Sequence, residues 1–199
     1  LRRAWQALVD RHDVYRSGFV AAEDGRYHAV IATRAELPWH ALDWRDAAVD
    51  EQDARFEALV ADDARRGFDL AAPPLLRIHL VRMDAQRHRM LVSEHHAVSD
   101  GWSRGIVLAE LAQLYRAFAA GRAPGLAPAP SFATYIDWLS RFDREQAIAH
   151  WSRYLDGMPA PPAYAWQRPG PADRASVQRW HGHVDAETSA AVTAFARTQ

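Results

Sequence analysis

Runs in which apolar and polar residues alternate predict short strands along this chain. The predicted strands span residues 18–22, 26–32, 75–83, 88–95 and 176–184. Glu23-Asp24-Gly25 is a turn signal between the first two, and Asp84-Ala85-Gln86 separates the next two, so each pair is expected to form a hairpin. In the strand 75–83, apolar residues face one way, while Arg77 and His79 face the other. Residues 37–46 are expected to form an irregular connection.

Apolar residues at helical spacing predict helices around these strands. The expected helices cover residues 1–12, 50–66, a segment after Gly101, 131–142, 145–155 and a final segment from Asp185. The helix after Gly101 should bury the stripe Val107, Leu111, Leu114 and Phe118. Ser103 is a reasonable N-cap for that helix. Strands and helices are mixed, so the fold class is α/β or α+β.

Composition excludes several classes of protein. The chain has 199 residues, a formal net charge of -1 and no basic stripe, which argues against a nucleic-acid partner. It has no Cys, so a disulfide scaffold and thiolate catalysis are excluded. Its apolar runs are far shorter than the roughly 20 residues of a membrane helix. We expect a cytoplasmic location and no membrane partner.

Reactive side chains crowd together in one segment, which runs from Ser93 to Ser103 and reads SEHHAVSDGWS. If a strand passes through both histidines, His95 and His96 point to opposite faces, and only one can face a substrate. Ser99-Asp100-Gly101 is a turn signal that opens the next helix. A histidine at a strand end beside a helix N-terminus can take a proton from a nucleophile, while backbone N–H groups stabilise an oxyanion, so the arrangement suits acyl transfer.

Two other interpretations of these histidines remain open at this point. His96 and Asp100 are four residues apart and could bind a metal from a helix, but turn residues separate them and no third ligand stands at a telling spacing. The histidines could also be structural and cap the turn.

Motifs in five places resemble those of the condensation domains of nonribosomal peptide synthetases. HHAVSDG at 95–101 is similar to the family's HHxxxDG, and RHDVYRSGF at 11–19 resembles RHExLRTxF. FDL at 68–70 with PLLR at 74–77, YIDW at 135–138 and WSRYLDG at 151–157 resemble later family segments in the same order. The resemblance implies the N-terminal lobe of a chloramphenicol acetyltransferase-like fold, an α+β two-layer sandwich with a mixed sheet flanked by helices.

The resemblance also implies roles for the residues of the motif. His96 would be the catalytic or substrate-orienting histidine, and His95 would support it. Asp100 would be structural and would pair with Arg16. Gly101 would let the backbone turn tightly and could place its N–H near the reacting carbonyl.

Three further residues are candidates at this site. Arg11 would be structural, although a solvated surface arginine is an equal alternative. Trp102 and Ser103 are candidates for the substrate channel and resemble the peptide-bond-forming subclasses. Glu94 could raise the basicity of a motif histidine, or it could form a salt link to an outside arginine.

The implied reaction is amide formation. The amine of an acceptor aminoacyl thioester would attack a donor acyl or peptidyl thioester. The implied partners are donor and acceptor carrier proteins and an adjacent adenylation domain. No metal and no directly bound cofactor is expected, because the carrier proteins supply the phosphopantetheine. A free-standing, ester-forming acyltransferase and an inactive docking module are the alternatives.

The resemblance also implies a domain division. Residues 1–160 would be the N-terminal lobe, truncated at its start, residues 161–175 a proline-rich linker, and residues 176–199 the beginning of the C-terminal lobe. The family's first motif and the rest of the C-terminal lobe are not among these 199 residues. We therefore expect the isolated 199 residues to be inactive.

Overall fold

A computed structural model describes residues 1–23, 25–159 and 182–198 of the chain. The strands are β1 (Ser17–Ala21), β2 (Tyr27–Ile31), β3 (Trp39–Asp43), β4 (Leu76–Arg82) and β5 (His88–Glu94). The helices are α1 (Arg2–Arg11), α2 (Val49–Arg66), α3 (Gly101–Ala119), α4 (Phe132–Ser140), α5 (Arg144–Tyr154) and α6 (Ala186–Thr198), with a 3-10 turn over Asp13–Arg16. The prediction of mixed helices and strands is confirmed.

Both predicted hairpins are present. Strands β1 and β2 form a two-stranded antiparallel sheet, and β4 and β5 pair antiparallel with Leu76 opposite Glu94. Strand β1 lies close against the segment before the second hairpin. The amide of Phe19 donates to the carbonyl of Leu70, and a Cβ on Gly18 would lie 2.9 Å from the carbonyl oxygen of Ala71. Glycine is therefore required at position 18 by this close approach.

The expectation of an irregular connection over residues 37–46 is wrong. Residues Trp39–Asp43 form β3, which pairs parallel with β4 and completes a mixed sheet in the order β3-β4-β5. A parallel strand has its partner far away in the sequence, so no local turn signal reveals it. Pro38 immediately precedes the strand, where its missing N–H costs nothing, and its carbonyl accepts from the amide of Ile78.

The hydrophobic core lies between α1, α3 and the first residues of β4. Helix α1 packs against α3, and its Trp5, Leu8 and Val9 are buried. In α3 the predicted stripe is largely confirmed: Val107, Leu111 and Leu114 are buried, and Phe118 packs against this cluster at its edge. Burial of these apolar side chains fixes the start of α3, which follows directly on the histidine segment.

Strand β4 is covered on both faces, including the face that carries Arg77 and His79. Arg77 and His79 were expected on a separate face from the apolar residues, and they are also buried. Arg77 Nε donates to Asp63 of α2 at 2.6 Å, and the His79 ring stacks on His40 of β3 with the ring centroids 4.6 Å apart. Central position in the sheet explains this burial, since β3 and β5 flank β4 and α2 supplies a partner for the guanidinium.

The chain divides into two compact units, Leu1–Asp143 and Arg144–Gln199. The first contains the sheets and α1 to α4, and the second contains α5 and α6. The linker predicted over 161–175 lies outside the described residues, as does most of the strand predicted over 176–184. In the described part of the chain, no helix is both long and apolar enough to span a membrane.

Candidate active site

The segment that carries the two histidines is a turn, not the end of a strand. Strand β5 stops at Glu94, and the chain then turns, with the amide of Val98 donating to the carbonyl of His95 at 3.1 Å. The strand predicted over 88–95 therefore ends one residue earlier, and the condition that a strand passes through both histidines is not met. Strand alternation ends at Glu94 and cannot assign the two side chains to opposite faces, so their roles follow from their hydrogen bonds.

His96 is exposed, and its ring is held by the backbone of the turn. Its Nδ1 lies 3.1 Å from the carbonyl oxygen of Ser99. A carbonyl only accepts, so Nδ1 carries the proton and Nε2 of the neutral ring keeps its lone pair. His96 is thereby held in the tautomer that can accept a proton or a hydrogen bond at Nε2.

His95 is held in the opposite way. Its Nδ1 accepts from the amide of Ala97 at 3.1 Å, so in the neutral ring the proton is on Nε2. Its ring also meets Phe68 edge-to-face, with the centroids 6.3 Å apart. The lone pair of His95 is thus already engaged, which favours a supporting role.

Asp100 is the N-cap of α3. Its Oδ1 accepts from the Ser103 amide at 2.8 Å and from the Ser103 hydroxyl at 2.7 Å. The hydrogen bond from the Ser103 hydroxyl is the main reason that the pKa of Asp100 lies below its usual value, and the bond from the Ser103 amide acts in the same direction. The expected cap, Ser103, is instead the donor to the cap. Both residue types cap helices well, and the helix begins at Gly101, which makes Asp100 the capping position.

The expected pairing of Asp100 with Arg16 is not observed, because each residue has other partners. Arg16 Nη1 donates to the carbonyl oxygens of Ala32 at 2.5 Å and Thr33 at 3.4 Å. Within the described ranges no ion pair links Arg16 to Asp100. The carboxylate of Asp100 is already satisfied by the first turn of α3, and Arg16 ties the 3-10 turn to the end of β2 instead.

Arg11 is not a solvated surface arginine. Its Nε and Nη2 donate to the two carboxylate oxygens of Glu110 at 2.9 and 3.2 Å, and His12 Nε2 lies 2.7 Å from Glu110 Oε2. Burial raises the pKa of Glu110, but the hydrogen bonds from Arg11 and His12 outweigh it, and the pKa is lowered overall. This cluster joins the end of α1 to α3.

Glu110 is not among the residues predicted from the sequence, although the sequence carries a signal for it. Glu110 is three residues after Val107 and four before Leu114, so it lies on the buried stripe of α3. A carboxylate on a buried stripe needs partners, and Arg11 and His12 provide them.

The three residues after the cap differ in what they do. A Cβ on Gly101 would meet nothing within 4 Å, so no close packing among the described residues demands glycine there. The Trp102 side chain is 89% exposed. Ser103 is half-buried and lines a cavity together with the Arg11 cluster.

Glu94 forms a salt link to an arginine, which was one of its two expected roles. Arg104 Nη2 of α3 lies 2.8 Å from Glu94 Oε1. This pair ties the end of β5 to the start of α3, on either side of the histidine turn.

No group of three or more metal-ligating side chains occurs among the residues that the structure describes. His96 and Asp100 in particular are each committed to the turn, through Ser99 and Ser103. What the turn offers chemically is an exposed imidazole whose Nδ1 is hydrogen-bonded to the turn backbone and whose Nε2 can accept a proton.

The chain resembles known proteins along most of its length. The family model described as "Condensation domain" matches residues 1–199. The chain is 37% identical to a linear gramicidin synthase from Brevibacillus parabrevis over 158 residues, which are 79% of this chain and 3% of that protein. It is 32% identical to bacitracin synthase 1 from Bacillus licheniformis over 157 residues, again 79% of this chain and 3% of that protein. The chain therefore belongs to the condensation-domain family.

Solved structures show the same fold. The starter condensation domain of rhizomide synthetase RzmA has a TM-score of 0.67 at 24% identity, with 80% of this chain and 39% of that chain covered. The chain thus spans well under half of a solved domain of this fold, and the predicted fold class is confirmed.

Proposed function

We propose that these residues are the motif-bearing part of a condensation domain that forms an amide bond in nonribosomal peptide synthesis. The observation that carries the proposal is the contact between His96 Nδ1 and the Ser99 carbonyl oxygen on an exposed face, which leaves Nε2 as the ring atom that can act as a base. Family membership supplies the class of reaction, acyl transfer from a thioester.

In the proposed step, the amine of a carrier-bound acceptor attacks the carbonyl carbon of a carrier-bound donor thioester. The C–N bond forms, the C–S bond breaks, and the donor sulfur leaves; the proton lost by the nitrogen ends on that sulfur, either by way of His96 or directly. An ammonium is not nucleophilic, so the amine must be neutral when it attacks. His96 Nε2 either takes the proton from the amine or accepts a hydrogen bond that holds the amine in line.

The other site residues are proposed to keep His96 in place. His95 supports the turn through Ala97, and Asp100 caps α3 so that the helix starts directly behind the motif. Arg11 and Arg16 act in the same structural sense, through Glu110 and the carbonyl of Ala32 respectively. Gly101, Trp102 and Ser103 are proposed to border the substrate path, because they follow the histidine turn.

The proposal includes the setting of the domain. Donor and acceptor carrier proteins would deliver substrates on phosphopantetheine arms, and an adenylation domain would lie next to the condensation domain in a cytoplasmic synthetase. Residues 1–160 would form the N-terminal lobe, 161–175 a linker, and 176–199 the start of the C-terminal lobe. The site would be completed by that second lobe, so the 199 residues alone would be inactive.

The test is product formation by the full-length parent protein with a loaded donor carrier and a loaded acceptor carrier. Mass spectrometry of the acceptor should show a new amide-linked product for the wild-type protein and almost none for His96→Ala. Amide formation that continues unchanged in His96→Ala would overturn the catalytic assignment. An ester product from a free alcohol, with no transfer to an amine, would instead indicate an ester-forming acyltransferase.

A further inference from the structure

A cavity of about 290 Å³ lies between the 3-10 turn, α3 and the turn over residues 95–100 that carries the two histidines. Its floor is made by Tyr15, Val98 and Val107, which are 2%, 5% and 8% exposed. Val98 of the HHAVSDG segment and Ser103 in the first turn of α3 also line it, and the exposed Ile106 stands at its rim. The cavity therefore adjoins the turn that carries the two histidines, through Val98, although neither histidine lines it.

The charges on the cavity wall are already paired with each other. Arg11 and Glu110 line the cavity and form a bidentate ion pair, and His12 donates to the same carboxylate. A charged occupant would therefore find no unpaired countercharge in this cluster and would lose its hydration without compensation. An uncharged, mainly apolar occupant would lose little on entering.

One side of the cavity is formed by a loop that is anchored by hydrogen bonds. Ala129 and Pro130 line its outer side, directly before Ser131. Asp13 accepts from the Ser131 hydroxyl at 2.5 Å and from the Phe132 amide at 2.9 Å. These two hydrogen bonds hold the end of the loop against the 3-10 turn, next to the lining residues Ala129 and Pro130.

From these observations, and resting on the proposed function, we infer that this cavity is a specificity pocket for the uncharged side chain or short acyl segment of one of the two carrier-bound substrates. Its volume is at the lower end of the roughly 300–1,000 Å³ of small-molecule pockets, so it holds one side chain and not a whole substrate with its arm. The pocket then selects substrates whose side chain or acyl segment is small enough to fit and carries no charge.

The test fills the cavity from its outer side in the full-length parent protein. Ala129→Phe places a ring at the cavity wall, and Ala127→Phe is the matched control, since Ala127 is exposed in the same loop and does not line the cavity. Glycyl, leucyl and lysyl substrates are presented first as donors with one fixed acceptor, and then as acceptors with one fixed donor. These two series show which of the substrates uses the pocket.

In one of the two series, wild type should prefer leucyl over lysyl, and Ala129→Phe should reduce kcat/KM for leucyl by at least about tenfold relative to glycyl, which corresponds to a loss of about 1.4 kcal/mol. Ala127→Phe should leave the ratio unchanged. An equal response of all three substrates in both series, while His96→Ala still abolishes product, would overturn the pocket and leave the proposed function standing. Retained product in His96→Ala would overturn the proposed function itself.

A second pair of variants covers the case in which Ala129→Phe does not fold. Ile106 at the rim is 60% exposed and tolerates a larger side chain, so Ile106→Trp should produce the same selective loss for leucyl. Ala109→Trp, at an exposed position of the same helix that is not in the lining, is its control. An unchanged leucyl-to-glycyl ratio in Ile106→Trp would likewise overturn the pocket.

Discussion

The carboxylate of Asp100 accepts two hydrogen bonds from Ser103, one from its amide and one from its hydroxyl. Asp100 therefore acts on the start of α3 and not on Arg16, which binds the carbonyl of Ala32. This local bond keeps the motif turn and the first turn of the helix together, so the position of His96 depends on a helix cap.

Because Asp100 is a helix cap, we expect its hydrogen-bonding oxygen to matter more for the stability of the domain than its charge. Asp100→Asn should keep most of the melting temperature of the domain, because Asn caps helices as well as Asp, while Asp100→Ala should lower it by a few degrees. Thermal unfolding of the purified domain measures both. If Asp100 instead depended on an ion pair with Arg16, Asn would be as damaging as Ala, and Arg16→Met would have no further effect in the Asp100→Asn background.

Because Asp63 forms a buried ion pair with Arg77, we expect its replacement to cost far more stability than replacement of the neighbouring acid Asp62. Asp63→Ala should lower the free energy of unfolding by about 3–5 kcal/mol, since it leaves the Arg77 guanidinium buried without its carboxylate. Asp62→Ala removes an exposed partner of Arg65 and should cost less than about 1 kcal/mol. Urea unfolding of the two variants gives the comparison, and equal losses would contradict the burial of the Asp63 pair.

The environment of His79 predicts a loss of stability in mild acid. Burial lowers the pKa of His79 from its ordinary 6.5, with the neighbouring His40 and Arg77 acting in the same direction and Asp63 opposing them. The unfolded chain therefore binds this proton more readily than the folded one, and stability falls as pH drops below about 6.5.

Replacement of His79 isolates this effect. Unfolding free energies measured between pH 7 and 5 should fall less steeply with decreasing pH in His79→Asn than in the wild-type domain. Asp63 does not confuse the comparison, because its pKa is below its ordinary 3.8 and it titrates at lower pH. Identical slopes for the two proteins would show that His79 does not carry the acid sensitivity.

The cluster at Glu110 predicts coupled losses. Glu110→Ala leaves Arg11 and His12 without their shared acceptor and should reduce the free energy of unfolding by about 1–3 kcal/mol. Arg11→Ala should add little once Glu110 is gone, because residues in one network are not additive. Glu36→Ala, which breaks an exposed pair with Arg2, should cost less than about 1 kcal/mol and serves as control.

Most of the helices and the two hairpins could be predicted because their signals are local. The stripe from Val107 to Leu114 and the turn at 84–86 each lie within one element. Strand β3 could not be predicted in this way, because its partner β4 begins 33 residues after β3 ends and no turn joins them. Periodicity therefore predicts which segments are helices and which form hairpins, but it does not predict the parallel pairing of β3 with β4.

The candidate site was located by its motif, but its internal contacts were not predicted. A one-residue difference in where β5 ends removes the alternation argument for His95 and His96. Asp100 and Ser103 are both good capping residues three positions apart, so the sequence does not tell which of them is the cap. Hydrogen bonds of the turn backbone, such as that of the Ser99 carbonyl, have no sequence signature at all.

The central claim is that His96, and not His95, presents the base to the substrate. Single-turnover rates of His96→Ala and His95→Ala, measured in the full-length parent protein with both carriers loaded, test it most directly. We expect His96→Ala to slow amide formation by at least about 10²-fold, the loss typical of a missing acid–base group, and His95→Ala to slow it clearly less. A rate that is unaffected in His96→Ala but collapses in His95→Ala would contradict the account.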